Sequence, residues 1–428
     1  MEQLYHYLWK TGIAGTSLKD VDGYDIEVLD PGVHNYDSGP DFFNSKLKIN
    51  GVEWIGNIEI HVKASDWFRH GHSTDPAYEN VILHVVAVSD KRIPRNDGSL
   101  IPQIELTLPE KFYQTYVSLS GNTDYVRCAS MLSAVPALNR SDWLESLSVE
   151  RLQHKAGRVK KLLDFTNGDW EQICFITLAR ALGFGLNGEP FEMLSKSLPL
   201  RILHHHSDNL FQIEALFFGQ AAMLDSSVLI FNEYYQALCR EYYFLARKYG
   251  LKPMRPGLWK YARTRPQNFP HRRIAMLAET TVDGFSLFSK LLEADCDLEK
   301  FKDIFALKAE GYWKEHFSFD SEPSDVPSEL SYTSRILLII NVAVPLLYAF
   351  ASSTGNLELG EKALNMMQDL PAESNSIVRL WKTMGIDVKD ASGSQALIHL
   401  KKEYCEKNKC VYCRFGHYLL RQSASRSQ

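Results

Sequence analysis

Residues 42–63 read FFNSKLKINGVEWIGNIEIHVK, and this stretch decides the fold of the N-terminal part of the chain. Two runs of strand-forming residues, Phe42 to Ile49 and Val52 to Lys63, flank the dipeptide Asn50-Gly51. Asn-Gly between two such runs is the strongest short-range signal for a β-hairpin. Further runs that end at turn residues predict strands at Tyr24–Leu29, Val81–Val88 and Ile101–Leu108. We therefore expect one mixed sheet in this region, opened by a short helix over Glu2–Lys10.

The second strand of the hairpin carries different chemistry on its two faces. Side chains alternate between the faces of a strand, so the apolar residues at 58, 60 and 62 are expected to face the core. Glu59, His61 and Lys63 then share the opposite face. Asp41 follows Gly39-Pro40 at the entry to the first strand, where it can approach Glu59 across the hairpin.

Two carboxylates on adjacent strands suit a hard divalent cation, because such ions prefer oxygen ligands. The sequence predicts that Asp41 and Glu59 bind Mg²⁺ or Mn²⁺. His61 or Lys63 would then orient or deprotonate a water that attacks a phosphodiester, while the metal stabilises the developing charge. These four residues are the catalytic candidates.

Pro40-Asp41 followed by Glu59-Ile60-His61 resembles the pattern of the PD-(D/E)XK nucleases. The resemblance implies a restriction-endonuclease-like α/β domain in residues 1–120, in which Glu2 corresponds to the helix acid. His61 occupies the position of the pattern's lysine, and Lys63 follows two residues later on the same face. Either residue takes the lysine's role, or the site is degenerate and the domain is a nucleic-acid or protein interaction module.

The whole chain also resembles an uncharacterised bacterial family whose domain has no assigned function. The matching segments are Gly39–Phe42, Asn57–Lys63, Asp75–His84, Arg265–Pro270 and the terminal cysteines. They extend over nearly the full length of the chain. The resemblance adds no activity to the prediction made from the residues.

His70-Gly71-His72 offers a different metal site. Two histidines one residue apart can both bind zinc, and Asp75 follows three residues later. A zinc-dependent hydrolase of a small substrate is therefore a third functional hypothesis. Pro76 directly after Asp75 breaks the spacing of known zinc-hydrolase runs, so histidines in a polar loop beside the hairpin are favoured. His84, within an apolar run, is expected to be a core histidine.

Helical periodicity replaces the strand pattern after about residue 135. We predict a mostly α-helical domain over residues 137–428, which gives an α+β chain overall. The longest apolar stretch, Ile336 to Ala351, contains Asn341 and Pro345 and is shorter than the roughly 20 residues that span a bilayer. It predicts a buried helix and no membrane association.

The C-terminal residues contain a second candidate metal site. Cys405, Cys410, Cys413 and His417 have the spacing C-x4-C-x2-C-x3-H, which fits a tetrahedral zinc knuckle. The same cysteines could instead hold an iron–sulfur cluster, with Cys128 or another cysteine as the fourth ligand. Some nucleases of the PD-(D/E)XK type carry such a cluster. Three free thiols are the remaining alternative.

Residues 252–278 of the predicted helical domain are rich in basic residues and contain no acidic ones. Guanidinium groups suit phosphates, and the interleaved aromatic residues suit unstacked bases. The predicted nucleic-acid-binding residues are Arg255, Lys260, Arg263, Arg265, Arg272 and Arg273. The alternative is a solvated charged loop.

Composition limits the possible classes. The 428 residues include 45% hydrophobic residues and have a formal net charge of −5, which excludes a disordered chain and a protein that coats nucleic acid by bulk charge. Residues 1–110 contain 9 Lys+Arg against 17 Asp+Glu, a net charge of −8. Seven cysteines and no recognisable secretory signal favour a cytoplasmic protein. The sequence thus predicts a metal-dependent nuclease acting on DNA or RNA, and leaves its oligomeric state open.

Overall fold

The computed structural model describes residues 2–13, 15–108, 110–121, 125–225, 232–262, 264–325 and 327–425. The chain forms two compact units. The first comprises Met1–Trp143 together with Lys401–Gln428, and the second comprises Leu144–Leu400.

A mixed sheet forms the centre of the first unit, and the described residues contribute seven strands to it. The spatial order is β1-β2-β4-β5-β6-β7, with β3 paired to β4 beside this path. The pairs among strands β1 to β5 are antiparallel, whereas the pairs β5–β6 and β6–β7 are parallel. The prediction of one mixed sheet is confirmed. The strands are β1 (Ser17–Lys19), β2 (Asp25–Asp30), β3 (Val33–His34), β4 (Phe42–Ile49), β5 (Val52–Lys63), β6 (Val81–Val88) and β7 (Gln103–Glu105).

The hairpin of β4 and β5 has the predicted bounds and the predicted two-residue turn. Ile49 pairs with Val52 in the antiparallel ladder. Asn50 and Gly51 both have positive φ values, 51° and 84°, as a type I′ turn requires. The turn fixes the register of β5, and the register decides which of its side chains share a face.

Both faces of β5 are buried around the predicted site. Ile58 and Ile60 are 0% exposed on one face, while Glu59 and His61 are 4% and 1% exposed on the other. The expected alternation of apolar and polar side chains is present, but the polar face is covered. The first helix packs against β5 and contributes to this cover.

The helices that precede the second unit are α1 (Glu2–Thr11), α2 (Asp66–Arg69) and α3 (Glu110–Gly121). Helix α2 lies in the crossover between the parallel strands β5 and β6, and the short 3₁₀ turns His72–Thr74 and Pro76–Tyr78 follow it. A parallel pair needs such a crossover, because a tight turn cannot connect strands that run in the same direction.

The second unit is helical, as predicted. A single large apolar core includes Phe175, Phe217, Trp313 and Leu347. The helices from α4 onward are α4 (Ala137–Thr166), α5 (Trp170–Leu182), α6 (Gly188–Ser197), α7 (Leu200–His204), α8 (Leu210–Gln220), α9 (Glu233–Tyr249), α10 (Pro270–Glu279), α11 (Leu287–Glu293), α12 (Leu298–Ile304), α13 (Tyr332–Leu338), α14 (Val344–Thr354), α15 (Leu357–Asp369), α16 (Ser376–Thr383) and α17 (Ala391–His399).

The longest apolar segment is a core helix of this unit. Helices α13 and α14 are joined by a π-helical turn, Ile339–Ala343, into one continuous segment, Tyr332–Thr354. The segment is long and apolar enough to cross a membrane, but 67% of its most apolar window is buried inside the protein. The buried helix expected around Asn341 and Pro345 is therefore present.

The C-terminal residues belong to the first unit, whereas the sequence had placed them in a helical domain of residues 137–428. Helix α18 (Arg414–Ser425) packs against α3. Phe415 and Leu420 are buried on α18, as are Phe112 and Leu119 on α3. Burial of this shared apolar surface explains why the last segment of the chain packs here.

Candidate metal centre

Three histidines, His61, His70 and His72, cluster beside the carboxylate of Glu59 on strand β5. Glu59 Oε1 lies 3.4 Å from His61 Nε2 and 3.2 Å from His72 Nε2. His70 Nδ1 lies 3.1 Å from His61 Nε2. The donor atoms of His61, His70 and His72 are all within 4.8 Å of one another. The three histidines therefore form one cluster, and Glu59 lies against two of them, His61 and His72.

A chain of hydrogen bonds fixes the tautomer of His61. The amide nitrogen of Gln103 donates to the carbonyl oxygen of Lys91 (3.1 Å) and to Ser89 Oγ (2.6 Å), so its carbonyl oxygen faces His84 Nδ1 at 3.1 Å. His84 Nδ1 must therefore donate, and its Nε2 accepts from His61 Nδ1 at 2.9 Å. His61 Nε2 is left with a lone pair directed toward Glu59 and His70. Metal-binding histidines are oriented by hydrogen bonds of this kind.

Helix α2 and the turn after it bring His70 and His72 to the strand. Gly71, with φ of 78°, adopts a left-handed conformation between them. This conformation costs an L-residue with a side chain about 1–2 kcal/mol. His72 is further held by Tyr78, whose ring stacks on the imidazole with 3.8 Å between centroids.

A second set of donor atoms involves Asp41. Glu2, His6 and Asp41 offer ligand atoms that lie within 4.8 Å of one another, and His6 Nε2 is 3.3 Å from Asp41 Oδ2. Glu2 and His6 are four residues apart on α1, so they share one face of that helix. Glu2 was a sequence candidate. His6 was not, although its spacing from Glu2 was a usable signal.

Backbone contacts join the two sets. The amide of Asp41 donates to Glu59 Oε2 at 3.3 Å, and the amide of Ile60 donates to Asp41 Oδ2 at 2.8 Å. Asp41 and Glu59 thus approach each other across β4 and β5. The structure brings these two carboxylates together and adds histidines to both.

Burial has strong electrostatic consequences in this cluster. Burial, followed by repulsion from Asp41, raises the pKa of Glu59 to about 9. Burial and the neighbouring histidines lower the pKa of His61 to about 2, and burial lowers that of His84 to about 4. Desolvation disfavours the charged forms of His61 and His84, so these two imidazoles are neutral near pH 7. A cation in the cluster would reverse the penalty on the Glu59 carboxylate.

The donor set suits a transition-metal ion. Donor atoms of a tetrahedral zinc ion are about 3.3 Å apart when each lies about 2.0 Å from the metal. The separations of 3.1–3.4 Å around His61 Nε2 and Glu59 Oε1 match this value. His72 Nε2 and His6 Nε2 are buried, and each lies beside a carboxylate oxygen, at 3.2 Å from Glu59 and 3.3 Å from Asp41. Nitrogen-rich sets favour zinc-like ions, whereas Mg²⁺ prefers oxygen ligands.

The remaining N-terminal candidates lie outside this donor set. Lys63 is exposed at the end of β5. Asp75 is exposed, and its carboxylate accepts the amide of Ala77 at the start of a 3₁₀ turn. His84 is the buried core histidine that the sequence predicted, with the additional role of orienting His61.

A groove of about 550 Å³ borders the metal-ligand cluster, with His72 in its wall. Its volume falls in the range of small-molecule sites. Among the described residues that line it, Arg95 is the one Lys or Arg side chain, and Ser73 and Thr74 contribute hydroxyls. Acidic residues also line it, namely Asp75, Glu79 and Asp97.

The C-terminal cysteines meet a different partner from the one expected in a zinc knuckle. Cys405, Cys410 and Cys413 line a small cavity together with Cys128. His417 instead forms a 2.6 Å hydrogen bond between its Nδ1 and the hydroxyl of Tyr7.

The predicted nucleic-acid-binding residues differ in exposure. Arg272 and Arg273 are 0% and 3% exposed, because α10 packs them into the second unit. Arg272 donates to the carbonyl of Pro327, and the guanidinium of Arg273 lies over the ring of Phe184. These two residues do not face solvent and cannot contact a phosphate backbone there.

Three of the other basic candidates lie at the protein surface. Arg255, Lys260 and Arg265 are exposed. Arg263 lies outside the described residues.

The fold and site thus define an α+β protein whose N-terminal mixed sheet carries a His- and carboxylate-rich cluster. The chain belongs to the family "Protein of unknown function (DUF2851)", whose model matches residues 2–376. Comparison with curated proteins gives no match, and comparison with solved structures gives none either.

Proposed function

We propose that this protein is a transition-metal-dependent hydrolase that cleaves phosphodiester bonds. The observation that carries the proposal is the cluster of His61, His70 and His72 beside Glu59. His61 Nε2 and His72 Nε2 lie 3.4 and 3.2 Å from Glu59 Oε1, and His70 Nδ1 lies 3.1 Å from His61 Nε2, which are donor separations of a tetrahedral ion. The metal differs from the Mg²⁺ expected from the sequence, because imidazoles supply most of the donors.

Asp41, His6 and Glu2 offer a second cation position beside the first. The two oxygens of Glu59 point to different partners, Oε1 toward His61 and His72 and Oε2 toward the Asp41 amide. The charges of Asp41, Glu2 and His6 each shift the pKa of Glu59, so the two sets interact electrostatically. Paired metal positions are common in enzymes that cleave phosphodiesters.

Each group has a definable part in hydrolysis. An ion held by the cluster supplies Lewis-acid stabilisation and water of lowered pKa. His61 keeps its Nε2 lone pair available because His84 and Gln103 fix its tautomer. Asp41, whose Oδ2 accepts the amide of Ile60, is positioned to accept a proton from the attacking water or to bind a second cation.

The groove beside His72 would hold the substrate. Arg95 can pair with a phosphate oxygen, and the Ser73 hydroxyl can donate a hydrogen bond to it. The phosphodiester assignment rests on this arrangement and on the resemblance of Asp41 and Glu59 to the nuclease pattern.

A zinc-dependent hydrolase of a small, uncharged substrate is the second candidate. The acidic residues in the groove, Asp75, Glu79 and Asp97, favour it because they repel a polyanion. This candidate uses the same metal ligands and differs only in the substrate.

The test begins with metal analysis of the purified protein, followed by hydrolysis assays on single- and double-stranded DNA, RNA and bis(p-nitrophenyl) phosphate. We expect activity with Zn²⁺, Mn²⁺ or Co²⁺ that is lost on chelation. Glu59→Gln and His72→Ala should each lower kcat/KM at least about 100-fold, because each removes a ligand of the ion that stabilises the transition state. His205→Ala, an exposed histidine of the second unit, is the matched control and should be unchanged.

Two further variants separate the hypotheses. Arg95→Ala should raise KM for a phosphodiester about tenfold, since a charge-assisted hydrogen bond contributes about 1.5–3 kcal/mol. Lys63→Ala should leave kcat unchanged, because the residue is exposed and outside the cluster. Absence of phosphodiesterase activity in metal-loaded protein, with hydrolysis of neutral esters or amides instead, would establish the second candidate. Activity that persists in Glu59→Gln would refute both.

A further inference from the structure

Four cysteines from two distant parts of the chain line one small cavity in the first unit. Cys128 directly precedes the 3₁₀ turn Ala129–Ala134, while Cys405, Cys410 and Cys413 come from the C-terminal segment. The cavity has a volume of about 20 Å³, and its lining is completed by Leu119, Arg127, Tyr404 and Gly416. In sequence, the whole second unit lies between the two segments that meet here.

The cavity suits a group bound through sulfur better than it suits water. A buried water needs about 10–15 Å³ and two to four polar partners. The space is large enough, but thiols and apolar groups form most of its lining. The guanidinium of Arg127 is already engaged with the carbonyls of Leu119 (3.3 Å) and Ser120 (2.8 Å).

Backbone amides surround the sulfur of Cys413. Cys413 directly precedes the twelve-residue helix α18, and its sulfur accepts hydrogen bonds from the amides of Phe415 and Gly416. A helix N-terminus stabilises negative charge. Gly416 also allows a close approach of chain segments, since an added Cβ would lie 2.0 Å from the carbonyl oxygen of Cys410.

The spacing of the sulfurs distinguishes between metals. Four thiolates around one zinc ion are about 3.8 Å apart, because each Zn–S bond is about 2.3 Å. Among the described residues, the sets of three donor atoms within 4.8 Å of one another contain no cysteine. An iron–sulfur cluster distributes its four thiolates over separate iron atoms, so the sulfurs stand further apart.

We infer that Cys128, Cys405, Cys410 and Cys413 bind a [4Fe–4S] cluster. Cys128 takes the fourth position that a zinc knuckle would give to His417. His417 is left out of the ligand set because it is not among the described residues that line the cavity. The inference does not depend on the proposed hydrolase, since none of these residues belongs to the metal-ligand cluster on β5.

The test is purification of the full chain under anaerobic conditions, followed by iron, acid-labile sulfide and zinc analysis, visible absorption and Mössbauer spectroscopy. We expect about four iron and four sulfide per chain, as a [4Fe–4S] cluster contains. Cys128→Ser and Cys405→Ser should lose most of this content. His417→Ala should retain it, as should Cys296→Ser, which alters a half-buried cysteine of the second unit.

The possible results decide the assignment. About one zinc ion per chain, held by these cysteines, would overturn the cluster. The absence of iron after reconstitution with ferrous iron and sulfide would also overturn it. Loss of the cluster in His417→Ala but not in Cys128→Ser would restore the Cys₃His set. If the cysteine variants fail to fold, as judged by circular dichroism, the composition of the unaltered protein decides the matter.

Discussion

Gln103→Met tests whether the hydrogen bonds behind His61 control the metal-ligand cluster. Methionine has a similar length but no strong acceptor for the proton on His84 Nδ1. Without that acceptor, His84 can adopt the other tautomer, in which its Nε2 carries a proton. The proton of His61 then moves from Nδ1 to Nε2 and blocks the lone pair that faces Glu59 and His70.

The magnitude follows from one buried hydrogen bond. Gln103 and His84 are both 0% exposed, so loss of the acceptor removes about 1–3 kcal/mol of preference for the metal-competent tautomer. That preference corresponds to a loss of about 10- to 100-fold in metal affinity, which is also the usual effect of removing a partner of a metal-binding histidine. The metal-free protein should lose a similar amount of unfolding free energy.

Titration with Co²⁺ provides the assay. Its visible absorption reports binding by histidine and carboxylate, while charge-transfer bands identify cobalt bound to cysteine sulfur. Ser89→Ala is the matched control, because it removes a partner of the Gln103 amide nitrogen and leaves the carbonyl in place. Ser89→Ala should change the affinity less than about threefold, the effect of a partly exposed hydrogen bond. Equal Co²⁺ affinity in folded Gln103→Met and in the unaltered protein would refute the reasoning.

Two further predictions concern Gly71 and His271. Gly71→Val and Gly257→Val place a side chain at φ values of 78° and 82°. Each variant should therefore lose about 1–2 kcal/mol of stability, measured by denaturant unfolding. Only Gly71→Val should also weaken metal binding, because it displaces His70 and His72. A similar loss of Co²⁺ affinity in both variants would contradict the role of the turn. Burial lowers the pKa of His271 to about 4, so the stability that its neutral form provides is complete above about pH 6.5 and is lost as the pH falls toward 4. The His271 ring stacks near Trp313 and Phe218, where a phenylalanine ring can take its place. Between pH 7 and pH 4 the His271→Phe variant should lose less stability than the unaltered protein. The difference between the two losses should reach about 3 kcal/mol, measured by thermal unfolding at each pH. Identical pH profiles would show that His271 is not the titrating group.

Local sequence signals determined much of the sheet. The bounds and the turn of the β4–β5 hairpin could be predicted, since Asn50-Gly51 sets the turn and hydrophobic alternation sets the faces. The register shift between Phe42 and Ser45 could not, because no local pattern marks it. Strand β6 also has its predicted bounds. Strand β7 is shorter than the predicted Ile101–Leu108, because only Gln103–Glu105 pairs with β6. The number of ladder partners depends on tertiary pairing, which the sequence of one strand does not contain.

The site could be predicted only where its residues are close along the chain. Glu59 and His61 are two positions apart on one strand, so strand geometry alone places them together. His72 reaches them through the crossover after β5, and His6 reaches Asp41 from helix α1. The meeting of Cys128 with Cys413 depends on the return of the C-terminal segment to the first unit. No local pattern encodes such a return, which is why the cysteines were assigned to a helical domain.

The difference between His61 and the lysine of the nuclease pattern changes the chemistry that the cluster can support. A lysine beside Glu59 would form an ion pair and would repel a cation from the space between the histidines. An imidazole at the same position offers a lone pair, provided that its other nitrogen donates a hydrogen bond. His84 supplies the acceptor, and Gln103 fixes the tautomer of His84. A site that had merely lost its lysine would have no reason to retain this buried chain of three polar side chains, which would be costly without mutual hydrogen bonds. The buried hydrogen bonds behind His61 therefore support the proposed transition-metal site.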